Sequence, residues 1–382
     1  MKRLLTLLLC FIPVLNGCGN IYSNYRELEQ IKVIQTMGLD YIPSGVQLTL
    51  SSASGGSGDG NALCLSGNGS SISEAMEQIR NYSCEDDLFF SHINQIIIGE
   101  DAARQGIDKY LNFICHSPEI RVDTPLYVVK DKTAKDTMGK VGSGTKGVSE
   151  ILQAVETNEH EHNNSKIIST AQVINNLQKY GGALVCALEY SEAAENAKDV
   201  KENSENPDMT AALSGYGVFN GTELCAYIDS ENAVGVDLLL NRLGISDIVV
   251  ADKKGRPVTL ETTGGKCQVV PIWGDDGELS GIDIFAQVSA TILEMVEDNS
   301  MSKEEIADYM ISKLESEISS RAGYVLQLSR KLQTDFLGLA GCIELDSPQK
   351  FRAMKTDFID RLPALELRIS VSGELCHRND KR

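Results

Sequence analysis

The sequence predicts an α+β fold in two main regions, with room for three domains, built of mostly antiparallel or mixed sheets packed by helices behind a cleaved lipoprotein leader. Three observations carry this. Short apolar or alternating runs bounded by Gly, Asn and Ser recur along the chain and have strand length. Segments of helical period lie between them. A polar, charged stretch at 191–207, nearly free of large apolar residues, separates two halves that each hold both patterns.

The leader opens with Lys2 and Arg3, continues as an apolar run of eleven residues from Leu4 to Val14, and ends in Leu15-Asn16-Gly17-Cys18. At ~1.5 Å per helical residue the run reaches about half of a ~30 Å hydrocarbon core, so it does not span a membrane. Small residues before a cysteine suit a signal peptidase, and the Cys18 thiol is the atom that takes up diacylglycerol. Residues 1–17 therefore read as a signal peptide and Cys18 as the lipidation site. Two or more acyl chains, at about 0.8 kcal/mol per buried CH₂, anchor a protein stably. No other segment is apolar for the length a spanning helix needs, so the rest is expected to be a water-soluble body outside the cytoplasmic membrane.

An apolar fraction of 42% is that of a globular chain. The formal charge of −19 argues against nucleic acid and against electrostatic adhesion to anionic lipid. Of ten cysteines, Cys10 leaves with the leader and Cys18 takes lipid. The remainder, at 64, 84, 115, 186, 225, 267, 342 and 376, are scattered without a C-x-x-C, so neither a zinc ribbon nor a dense disulfide framework is indicated. Most read as small buried hydrophobes, with an occasional disulfide left open.

Along the chain, 31–40 reads as a short helix-like stretch turning strand-like. A hairpin follows from 46–50 and 62–65 around a Gly/Ser loop at 51–60. Ser71-Ile72-Ser73-Glu74 has capping-box spacing and opens a helix to Tyr82 with Ile72, Ala75, Met76 and Ile79 on one face. Residues 93–98 form a buried strand, 102–114 a helix, 121–130 a strand and 131–148 a polar connection. Helices at 148–156 and 170–180 and a strand at 183–190 close the first half. The second half opens on strands 215–220 and 223–227 around Asn220-Gly221, whose residues permit the positive φ of a tight turn. Strands are expected at 245–251, 258–261, 267–273, 281–288 and 365–371, with a long helix at 303–329 running into 331–338 and a helical stretch at 349–361. No fixed-period repeat is present, which excludes a solenoid.

Chemical motifs fail on context. Gly142-Ser143-Gly144-Thr145-Lys146-Gly147 matches a dinucleotide fingerprint, but the residues before it are polar where a buried strand is required. Gly139 and Gly144 have P-loop spacing, yet Thr145-Lys146 stands where Lys and then Ser or Thr is needed. His160-Glu161-His162 sits in polar, turn-like sequence and reads as a solvated loop, with Cys115-His116 and Cys376-His377 as distant candidates for a metal clip. His92 heads a buried strand and reads as a hydrogen-bonded core histidine. No pair of carboxylates stands out as acid and base, so no catalytic, metal or cofactor-binding residue is expected and the chain is not expected to be an enzyme.

Several blocks appear in the order of a known family. They are Arg26-Glu27-Leu28, Gly38-Leu39-Asp40, Ser91-His92-Ile93 running to Ile98-Gly99-Glu100, Ser117-Pro118-Glu119-Ile120-Arg121, Gly217-Val218-Phe219, Gln333-Thr334-Asp335-Phe336-Leu337-Gly338 and the stretch from Arg368 to Glu374. Together with the lipobox they resemble the Ger(x)C family, the C-subunit lipoproteins of spore-germination receptors, over nearly the whole chain. Gly19-Asn20 after the lipid cysteine and Ser91 before His92 depart from its pattern. The resemblance implies an N-terminal region at 18–190, a linker at 191–207 and a C-terminal domain at 208–378. It implies a lipid-anchored subunit on the extracytoplasmic face of the inner spore (forespore) membrane, working with integral-membrane A- and B-type receptor subunits. The alternative is a lipoprotein that binds a small-molecule germinant directly. The only added groups expected are the diacylglyceryl and acyl lipids on Cys18.

Overall fold

The strand β1 (Ile31–Ile42) lies inside a nine-stranded sheet, antiparallel to β2 (Gly45–Ser52) and parallel to β4 (Asp87–Phe89) and β5 (Gln95–Ile98). The computed structural model describes residues 31–52, 63–83, 87–142, 147–162, 165–192, 209–296 and 302–376. Residues 31–40, expected to begin as helix, are strand throughout, because ladders on both sides of Ile34, Met37 and Leu39 bury these side chains completely. The sheet continues through β3 (Cys64–Gly69) beyond β2, and on the other side through β6 (Leu126–Val129), β7 (Gly182–Glu192), β8 (Met209–Asn220) and β9 (Glu223–Ile228). The links β5–β6 and β6–β7 are parallel, whereas β7–β8 and β8–β9 are antiparallel. The Asn220-Gly221 hairpin forms as expected, with Gly221 at φ 56°, and both its strands belong to the first sheet.

The helices of this half show where local signals end. Helix α1 (Ile72–Tyr82) is capped by the Ser71 side chain, but Glu74 reaches back to Ser70 and so completes no box with Ser71. The expected single helix at 102–114 is two, α2 (Glu100–Gln105) and α3 (Asp108–His116), broken at Gly106 with φ 107°. The expected strand at 121–130 shortens to β6. The polar connection after it contains α4 (Ala134–Val141), capped by Thr133. Helix α5 (Val148–His162) runs past its expected end, so His160-Glu161-His162 closes a helix and is not a loop. Helix α6 (Thr170–Tyr180) has a full capping box from Ser169 and Gln172 and stops at Gly181 in the left-handed conformation.

The second sheet has four strands in the order β10 (Ser246–Ala251), β11 (Pro257–Trp273), β12 (Leu279–Glu294) and β13 (Glu366–Leu375). The expected strands at 258–261 and 267–273 are one strand, because Gly264, at φ 154°, carries β11 through a bulge against β12. Helix α8 (Lys303–Leu332) crosses this sheet and ends at Gln333 in the left-handed conformation. The stretch at 349–361 divides into α10 (Pro348–Met354) and α11 (Phe358–Arg361) behind α9 (Leu339–Asp346).

Helix α7 (Ser230–Leu239), which sequence patterning did not show, links the sheets. Every residue from Ala233 to Leu239 is buried, so no amphipathic stripe marks it. Gly235 lets it meet α8 backbone to backbone: a Cβ there would lie 2.7 Å from the Ala322 nitrogen and the Arg321 carbonyl carbon. On its other side the Tyr216 hydroxyl, from β8, donates to Asp237 Oδ1 at 2.5 Å. The Arg242 guanidinium reaches both groups at 3.3 Å. Burial pushes the Asp237 carboxyl up to about 7, against the pull of Arg242 and Tyr216. Asp335, fully buried after α8, is likewise pushed up to about 7 by burial.

Two outcomes follow from this joint. Gly235→Ala is expected to destabilise the chain by about 1–3 kcal/mol in urea unfolding, because backbone cannot move aside as a side-chain tip does. An unfolded Asp titrates near ~3.9. Between about pH 4 and 7 the folded chain therefore keeps protons that the unfolded chain has lost, and stability falls as pH rises through that window. Urea midpoints measured across it should decline, and the decline should be shallower in Asp237→Asn, which loses the Asp237 share and keeps that of Asp335.

Candidate functional site

The parallel strands β1, β5 and β6 bring the residues after them to one end of the first sheet, where open α/β sheets present their loops. Asp40, 3% exposed, points there at the start of α4 and accepts the Ala134 and Lys135 backbone N–H groups at 2.7 and 2.9 Å. A helix N-terminus has unsatisfied N–H groups, and a carboxylate answers both the hydrogen bonds and the dipole. Burial still pushes the Asp40 carboxyl above its ordinary range, outweighing those two bonds. Gly99 is required beside it, since a Cβ there would fall 2.0 Å from Asp40 Oδ1.

Glu100 follows on the same edge. It accepts from Arg104 Nε at 2.7 Å, from the Tyr227 hydroxyl at 3.2 Å and from the Asp131 N–H. Burial opposes its charge, but the Asp131 N–H and the Arg104 guanidinium outweigh it and hold the carboxyl below the usual range. Tyr227, from β9, is pushed up by burial and by Glu100. Lys130 pairs with Glu189 at 3.0 Å nearby. The charged groups of this edge thus neutralise one another and tie β5, β6, β7 and β9 together.

A second constellation forms where the C-terminal segment meets the first sheet. Asp335 accepts the Leu339 and Ala340 N–H groups at 2.7 and 2.8 Å and so caps α9. Gly338, at φ 71°, and Gly341 leave space for Tyr180, whose hydroxyl would lie 2.3 Å from a Cβ on Gly341. Gly182 makes the same allowance for Thr334, with 2.1 Å from a Cβ to Oγ1. The blocks Gly38-Leu39-Asp40, Ile98-Gly99-Glu100 and Thr334 to Gly338 are therefore joints: short polar caps and glycines that let elements meet closely.

Other residues singled out in the sequence are dispersed. Cys18, Arg26-Glu27-Leu28, Cys84 and His377 lie outside the described residues, as do 143–146 of the glycine motif. Gly139 lies in α4 and Gly142 caps it, so a helix precedes the motif where the fingerprint needs a strand. His92 is exposed and packs on Phe89 at 5.7 Å between ring centres, contrary to the expectation of a core histidine. His116 Nδ1 lies 2.8 Å from the Asn112 carbonyl oxygen. Of the described cysteines only Cys186 is buried, whereas Cys64, Cys115, Cys225 and Cys342 are exposed, so the buried-hydrophobe reading holds at one position. Among the described residues no group of three or more His, Cys, Asp or Glu is placed to hold a metal ion. No described helix is long and apolar enough to cross a membrane. A groove of about 490 Å³ lies across β11, β12 and β13, with Lys266, Gln287, Ser289, Ser372 and Glu374 along it.

The family model described as "Spore germination protein N-terminal domain" matches residues 24–189, and the one described as "Spore germination B3/GerAC like, C-terminal" matches residues 214–377. No curated protein matches the chain. The solved structure described as "Crystal Structure of the GerBC protein" is 17% identical with a TM-score of 0.57, over 89% of this chain and 97% of that one, which is a likeness of fold. The second match begins inside β8, so the boundary between the two sequence families falls within the first sheet. With both matches spanning the two halves in order, the chain belongs to the Ger(x)C (GerAC-like) family of spore germination proteins, which is not a known enzyme family.

Proposed function

We propose that this member of the family is the lipid-anchored C subunit of a nutrient germinant receptor. Diacylglyceryl and acyl lipid on Cys18 hold it to the extracytoplasmic face of the inner spore membrane. There it supports germination by contact with integral-membrane A- and B-type subunits, without catalysis. The observation that carries this reading is the pair of family matches over 24–189 and 214–377 behind the Leu15-Asn16-Gly17-Cys18 lipobox. The joints support it. Asp40, Glu100 and Asp335 are engaged in capping and pairing, which suits a body that presents a fixed surface. As units of sequence, 18–190 and 208–378 with a linker at 191–207 remain our division of the mature chain.

A second reading, direct binding of a small germinant, is favoured by the groove between Lys266 and Glu374, whose opposite charges suit a small polar molecule. A rise in melting temperature of the purified protein with a candidate germinant would support it.

Replacing Cys18 by Ala is expected to move the protein from the membrane to the soluble fraction. Membrane retention of Cys18→Ala after a carbonate wash overturns the anchor. Mild-detergent purification from spore inner membranes should bring two integral-membrane subunits with the native protein, and recovery of the protein alone would turn attention to the second reading.

A further inference from the structure

The strand β13 is the edge of the second sheet, and no described strand lies beyond it. It runs ten residues in unbroken parallel register with β12, without proline, lysine or bulge. Proteins commonly guard long edges with such features, because open N–H and C=O groups recruit another strand. The other edges are guarded. β3 is six residues long, contains Gly67 and Gly69 and lies under α1; β9 and β10 are also six residues long.

Hydrogen bonding fixes which residues of β13 face outward. The Cys376 N–H donates to the Ala290 carbonyl of β12. In a parallel ladder alternate residues bond the same neighbour, so even-numbered residues face β12 and odd-numbered ones face the open edge. The Gly373 N–H fits this phase, since it donates to Glu315 Oε1 of α8 at 2.9 Å. A strand added here must therefore pair with Leu367, Ile369, Val371, Gly373 and Leu375.

We propose that the edge is an interface for a second copy of this chain, paired β13 to β13 in antiparallel register about a two-fold axis at Val371. Only antiparallel self-pairing closes as a dimer. The hydrogen-bonding phase restricts the axis to every second step. With the axis at Val371, Leu367 faces Leu375 and Ile369 faces Gly373, all on the half-buried side toward α8. On the exposed side, Arg368 of each copy, which also donates to its own Asp283 at 2.8 Å, stands opposite Glu374 of the other, whose carboxylate also accepts from its own Ser289 at 3.0 Å. Moving the axis to Ser370 would set Glu366 against Glu374, and moving it to Ser372 would leave Arg368 and Glu374 without an opposite charge across the interface, so charge favours the Val371 register. The interface goes beyond the receptor reading and does not depend on it. Glu315 must release Gly373 as the edges join.

The test uses the full-length protein in mild detergent at physiological ionic strength, where charges more than about 8 Å apart are screened and the net charge of each chain opposes association less. Sedimentation should show a dimer whose dissociation constant rises roughly tenfold or more in Arg368→Glu and recovers when Glu374→Arg is added. Recovery by the double swap distinguishes pairing from misfolding. Opposed residues in a non-hydrogen-bonded antiparallel pair lie about 4.5 Å apart, within disulfide reach. Under copper–phenanthroline oxidation, an equal mixture of Ser370→Cys and Ser372→Cys chains should therefore cross-link, while neither variant alone exceeds the parent protein. A monomer at every concentration overturns the proposal, as does a dimer indifferent to Arg368→Glu with no mixture-specific cross-link. A strand of another protein found along β13 also overturns it. Loss of membrane attachment in Cys18→Ala bears on the anchor and leaves this interface standing.

Discussion

The antiparallel ladder between β7 and β8 is the constraint on which the rest of the molecule depends. It pairs Gly182 with Asn220 at one end and Glu192 with Met209 at the other, and it encloses Leu184, Val185, Leu188, Val218 and Phe219. Each such side chain contributes about 1.5–3 kcal/mol by burial, so parting the halves here would cost far more than opening a hinge between domains. The two family matches, 24–189 and 214–377, are thereby joined within one sheet. Because β8 is fixed, Tyr216 is fixed, and with it Asp237, α7 and the contact of Gly235 with α8.

Buried polar groups set the angles of these attachments. Apolar packing tolerates small slips, whereas a buried carboxylate that must meet two N–H groups has essentially one placement, since an unmet buried donor costs about 1–3 kcal/mol. Asp40 fixes α4 against β1 in this way, and Asp335 fixes α9 against the turn at Tyr180. The glycines complete the arrangement by removing the atom that would stand between cap and helix. This accounts for the character of these blocks in the chain: short acids and glycines at element ends.

The same physics explains which parts were legible in the sequence. Elements held by local signals were readable: α1 from Ser71, α6 from its helical pattern, and the hairpin from Asn220-Gly221. Elements held by distant partners were not. Helix α4 contains Thr137 and Gly139, poor helix formers, and depends on a carboxylate 94 residues away. Helix α7 is buried all round, which erases the periodicity that patterning needs. In β1 one neighbour is the adjacent hairpin strand β2 but the parallel partners β4 and β5 come from farther along the chain, so its ladders overrode a helix-like beginning. The joints were visible only as residues carrying a resemblance, since spacing along the chain does not say that Gly99 faces Asp40 or that Gly341 faces Tyr180.

A body locked in this way has few soft internal joints, which limits how it can take part in germination. Coupling between distant surfaces requires an element with two arrangements of similar energy. Moving α4 or α9 would leave the buried Asp40 or Asp335 carboxyl and the helix N–H groups it meets without partners. On the receptor-subunit reading proposed above, the chain would contribute through where its surfaces are held and what is docked on them. Lipid on Cys18 would set the position of the whole body relative to a membrane, and every displacement of a docked partner would pass through β7 and β8 as through a rigid frame.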